Sequence, residues 1–128
     1  MKFLYLFLVV LLIASCTSSK KEIKLEEGIS YDLAKYRKQQ ISDIVYNLHF
    51  KIPTEKAKSI AVKSIINFNI KDLENDVYLD FNEATSKLKS IKINSEKVAI
   101  HHQKEHLILD RTKFNLGLNE VEILFDAG

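Results

Sequence analysis

From Ile41 to the end of the chain, apolar side chains recur at every second position, and that period commits most of the sequence to β structure. A repeat of two places neighbouring side chains on opposite faces of a strand, so each run needs one face covered and leaves the other wet. In the first run Ile44, Tyr46, Leu48, Phe50 and Ile52 share one face. Asp43, Asn47, His49 and Lys51 share the other with Val45. Pro53, which has no N–H to give a ladder, ends it with Thr54. A second run over 59–71 aligns Ile60, Val62, Ile66, Phe68 and Ile70, with Ser64 between them. Val77, Leu79 and Phe81 follow as a third, with Asp80, Asn82 and Glu83 on the wet side.

Shorter runs complete the pattern. Leu88, Ile91 and Ile93 form a fourth, and Asn94, Ser95 and Glu96 have the composition of a turn. Val98 and Ile100 begin a fifth, 107–109 makes a sixth, and Val121, Ile123 and Phe125 alternate in the last, after a turn around Gly117. Short strands joined by tight turns predict a mainly β domain, an antiparallel β-sandwich or curved open sheet of about seven strands. Its expected core is Tyr46, Leu48, Phe50, Val62, Ile66, Phe68, Leu79, Phe81, Ile91, Ile93, Val121, Ile123 and Phe125. Ahead of the strands, 30–40 reads as one short helix. Ser30 is placed to cap it, Asp32 lies in its first turn, and Arg37 and Lys38 sit near its C-terminal end. Leu33 and Tyr36 fall on one side with Ile29 just before, and so short a helix must dock on something.

The N-terminus sets a different constraint. Lys2 precedes an unbroken apolar run over 3–13, and the small residues Ala14 and Ser15 lead directly to Cys16. The run is shorter than the ~20 residues of a spanning helix and has the layout of a secretory signal over 1–15. The sequence Ile-Ala-Ser-Cys resembles the lipobox of bacterial lipoproteins. That resemblance implies cleavage before Cys16 and lipidation of its thiol, with the lipid bilayer as partner. Removal of the 15-residue leader from 128 residues leaves 113, enough for one domain. Residues 16–27 read as a flexible tether. Thr17 follows the cysteine, where an aspartate is associated with inner-membrane retention, so the expected location is the periplasmic side of the outer membrane or the cell surface.

Charge and composition exclude several functions. With 19 basic and 17 acidic side chains, interleaved along the chain, there is no footprint for nucleic acid. Cys16 is the only cysteine, so there is no intramolecular disulfide and, if Cys16 is lipidated, no free thiol for catalysis, and three glycines leave no glycine-rich phosphate loop. The one motif that suggests catalysis is His102-Gln103-Lys104-Glu105-His106, which satisfies the inverted zinc-peptidase pattern. On a helix the two histidines would share a zinc ion and Glu105 would act as base. Here the alternation on either side predicts a hairpin with its turn at Gln-Lys-Glu. His101, His102 and His106 are then at most an incidental metal-binding surface, and neither a catalytic nor a metal site is expected.

A resemblance carries the functional expectation further. The run GISYDLAKYRKQQISDIVYNLHFKIP at 28–53 resembles the start of the mature part of M1-family zinc aminopeptidases, the aminopeptidase N-like enzymes, in particular exported lipoprotein members from Bacteroidetes. AVKSIINFNIKD at 61–72, VYLDFNE at 77–83, SIKINSEKV at 90–98 and NEVEILFDAG at 119–128 resemble successive strands of the same domain, in the same order. Ser95 stands where the family usually has glycine. The resemblance implies that 28–128 is the N-terminal β saddle domain, unfinished at Gly128. The family's zinc ligands, on a His-Glu-x-x-His helix, and its Gly-x-Met-Glu-Asn loop belong to later sequence. No catalytic residue is carried over, and zinc is implied only for the full-length family. The expected partner is a catalytic domain beyond this chain. The alternative is a stand-alone lipid-anchored β domain that binds a protein, peptide or glycan.

Overall fold

A computed structural model describes residues 23–128. The signal-like run, the lipidation candidate Cys16 and the first part of the tether lie outside the described residues. Helix α1 spans Tyr31–Gln40, and the Ser30 hydroxyl caps it by accepting the Leu33 N–H at 3.2 Å. It docks as the sequence requires. Leu33 is buried, and the Tyr36 hydroxyl donates to Asp72 at 2.8 Å while accepting the Asn75 N–H at 3.1 Å. Burial first, and the Asp72 carboxylate second, push the Tyr36 phenol up to about 12. Gln40 is also fully buried, its amide donating to the Asn75 and Asp76 carbonyls at 3.0 and 3.3 Å.

The chain passes from α1 directly into β1, Ile41–Lys51. Seven more strands follow: β2 (Ile60–Ile70), β3 (Val77–Asp80), β4 (Leu88–Ile93), β5 (Glu96–Val98), β6 (His102–Gln103), β7 (His106–Leu109) and β8 (Gly117–Ala127). They form two open antiparallel sheets, a five-stranded one in the order β1-β2-β8-β4-β5 and a three-stranded one in the order β3-β7-β6. The additional strand beyond the seven expected is β6, two residues of the hairpin that carries the histidine motif. β2 and β8 pair along their whole lengths, from Ile60 opposite Ala127 to Ile70 opposite Gly117.

The core lies where the small sheet covers the large one. Ile66, Phe68, Ile70, Ile91, Ile93, Val121 and Ile123 meet Val77, Leu107, Leu109 and the loop residue Phe114. The rings of Phe68 and Phe114 are 6.0 Å apart. Leu79, Phe81 and Phe125 pack at its margin. Leu107, Leu109 and Phe114 were not among the expected core residues. Near the start of β8, Asn119 is buried and fully engaged. Its side chain bonds the Asn115 N–H, the Asn115 and Gly117 carbonyls, and Asn94.

One part of the expected core is overturned. Tyr46, Leu48 and Phe50 do turn toward the inner face, opposite Ile66, Ser64 and Val62, yet they are 59%, 50% and 57% exposed. Alternation specifies which face a residue takes, but not whether another layer reaches it. β1 is an edge strand of the wide sheet, and the narrower three-stranded sheet leaves this part of it uncovered.

Candidate functional site

The uncovered face of β1 begins at a β-bulge. Ser42 pairs with Asn69 and Val45 with Asn67, so Asp43 and Ile44 together oppose Phe68. Asp43 holds a left-handed φ of 54°, and its carboxylate accepts the Asn69 amide and the Ser42 hydroxyl, both at 2.9 Å. These hydrogen bonds, the Asn69 amide first, keep the Asp43 carboxyl below its ordinary range. The bulge resets the alternation, so that Ile41 and then Tyr46, Leu48 and Phe50 point inward. Ile52, just past the strand, is 74% exposed and extends the apolar row. Among the described residues, one long edge of β1 has no neighbouring strand. The site therefore offers an apolar stripe beside a row of backbone donors and acceptors able to take another strand.

On the opposite face of the sheet, charge is paired. Glu122 lies between Lys63 at 2.8 Å and Lys92 at 3.1 Å, and these two ammonium groups, Lys63 first, hold its carboxyl below the ordinary range. An open groove of ≈ 380 Å³ lies at the far end of β1, and its lining includes His49, Lys51, Lys89, Leu124 and Asp126. Lys89 and Asp126 close on each other at 2.7 Å. His49 is exposed there, as its place on the polar face of the first run implied.

The histidine motif is assembled differently from a zinc helix. Lys104 and Glu105, with φ of 48° and 65°, form the turn between β6 and β7. His102 pairs with Leu107 and Gln103 with His106, so His102 and His106 fall on opposite faces of the hairpin. His106 is not a solvated loop residue: it is 1% exposed, with Nδ1 2.9 Å from Asp80 Oδ1 and Nε2 3.1 Å from the Glu26 carbonyl. His102 has Nδ1 2.8 Å from the Thr85 hydroxyl and Nε2 2.8 Å from the Phe81 carbonyl. Both nitrogens of each ring thus face protein groups, and His101 is exposed outside the strands. Among the described residues no three His, Cys, Asp or Glu side chains gather as metal ligands.

Around His106 the residues form a fastening. Arg37 from α1 reaches Asp80 with both terminal nitrogens, at 2.9 and 2.7 Å. Burial would raise the Asp80 carboxyl, but hydrogen bonds and charge from Arg37, and then His106, bring it below its ordinary range. Asp80 is exposed, as its place on the wet side implied, and it also bridges Arg37 and His106. The end of the expected tether is held to the same hairpin. Gly28 N–H donates to Glu105 at 3.0 Å, and Lys104 donates to the Leu25 carbonyl at 3.0 Å. Glu105, the base of the hypothetical zinc motif, accepts a backbone hydrogen bond here. One signal for this cluster lies in the sequence, an Asp in the third run and a His at the start of the sixth, but nothing there pairs those runs.

Compared with known proteins, the chain matches no protein-family model, no curated protein and no solved structure. Among the described residues no helix is long and apolar enough to cross a membrane.

Proposed function

We propose that this chain is a non-catalytic β domain of the kind that precedes the catalytic domain in M1-family zinc aminopeptidases, carried on a lipid at Cys16, and that it works by contact through β1. The observation that supports this is the long edge strand with Tyr46, Leu48, Phe50 and Ile52 half or more uncovered. A contiguous apolar stripe on an unpaired edge is an aggregation liability in a free domain and a docking surface in a bound one. No hydrolytic step is assigned to the chain's own residues. A second reading, a stand-alone lipid-anchored domain on the periplasmic side of the outer membrane, draws support from the free backbone edge of β1. Such an edge can take a strand from a separate protein or peptide.

The contact reading is tested in cells that produce the full chain, with a photoreactive phenylalanine analogue placed at Leu48 or, as a control, at Lys97 on the opposite edge of the sheet. Irradiation is expected to yield covalent adducts from position 48 and few from position 97. No adduct from position 48, or equal labelling from both, would refute β1 as the working surface.

A further inference from the structure

We infer that the partner of β1 is β1 of a second copy of this chain, paired antiparallel about a two-fold axis at Leu48. This rests on the reading of β1 as the contact surface and names its occupant. The argument starts from the order of side chains along the strand. About Leu48 the inward row reads the same way in both directions in chemical kind: Tyr46 and Phe50 are aromatic, and Ile44 and Ile52 are identical. An antiparallel pair centred there sets Leu48 against Leu48, Tyr46 against Phe50 and Ile44 against Ile52. Aromatic and branched side chains then meet as cross-strand neighbours, the pairs that stabilise sheets.

The other face is compatible with the same register. Asn47 falls opposite His49 and Val45 opposite Lys51, so no two like charges are directly opposed. Lys51 lies diagonal to Asp43 of the second copy, a distance that a lysine side chain spans across a strand pair. Asp43 is held in place by its hydrogen bonds to Asn69 and Ser42. The two-fold symmetry makes this ion pair twice. It also satisfies the backbone edge of both copies, since an isologous contact uses the same groups on each side. Two five-stranded sheets become one continuous sheet, and the two exposed stripes combine into one apolar row. A one-residue slip would set polar side chains against the stripe, so the register is specified by the pattern itself.

The test is cysteine cross-linking of the full chain in membranes of producing cells under mild oxidation, with the unsubstituted chain, which carries Cys16 alone, as baseline. Leu48→Cys is expected to give a disulfide-linked species of twice the chain mass, at least ten times the baseline yield. Ile52→Cys is more exposed but should stay at baseline, because residue 52 lies opposite residue 44 and far from its own symmetry mate. Tyr46→Cys with Phe50→Cys in one chain should link as Leu48→Cys does. Neither Leu48→Cys nor the double variant linking, or Ile52→Cys linking as well as Leu48→Cys, would overturn the inference. Adducts from the photoreactive side chain at position 48 to a different protein, without cysteine linkage, would overturn the second-copy partner while keeping β1 as a contact surface.

Discussion

Two phenylalanines that look alike in the sequence separate in the fold. Phe68 is 1% exposed against Phe114, whereas Phe50 projects from the uncovered edge. Phe68→Ala is expected to cost about 3–5 kcal/mol of stability and Phe50→Ala, whose side chain is more than half exposed in the single chain, less than about 1 kcal/mol. Urea unfolding of the two variants at a concentration where the chain is monomeric measures the difference, and equal losses would contradict the exposure of β1. Asp80 gives a pH signature. Its carboxyl is held below the ordinary value, so its contribution is present above the unfolded value near ~3.9 and is lost as pH falls through the folded one. Asp80→Asn should therefore lower stability at pH 7 and flatten the acid limb of a pH-stability curve below about pH 4. An unchanged acid limb would show that the Arg37 and His106 contacts do not hold the carboxylate.

At the scale of elements, much was legible and the misses have clear physical causes. Ser30, Asp32, Arg37 and Lys38 marked α1, because caps and the helix dipole act over neighbouring residues. Alternation marked the long strands β2 and β8, because a face buried along its whole length imposes its period on the sequence. The same reasoning assigned the inward face of β1 correctly but could not see that the small sheet stops short of it, since the width of a second layer is a tertiary property. It also missed the Arg37–Asp80–His106 bridge, whose members come from three elements. The β4–β5 turn is local and permits a prediction. Asn94 and Ser95 have φ of 48° and 72°, a turn in which glycine is favoured at the second position. Ser95→Gly is expected to stabilise the domain by about 0.5–1 kcal/mol, read as a rise in thermal midpoint. A fall would mean that the Ser95 side chain supplies more than its backbone conformation costs.

For the whole molecule, the proposed role predicts a negative. Purified protein comprising residues 16–128 should not hydrolyse aminoacyl anilides with or without added zinc, because such hydrolysis needs a metal-bound water and a base aimed at it. Zinc-dependent turnover that disappears in Glu105→Gln would reverse this conclusion. The bulge at Asp43 has a further consequence for the molecule. A strand is a two-state counter, and the extra residue between Ser42 and Val45 advances that counter by one for everything downstream. If all the residues stayed but the ladder ran on from Ile41 without the bulge, Val45, Asn47, His49 and Lys51 would turn inward and Tyr46, Leu48 and Phe50 outward. A single irregularity of the backbone, invisible in composition, therefore decides whether the uncovered rim is apolar or hydrophilic, so the character of that rim is written in the parity of the chain rather than in its content of apolar residues.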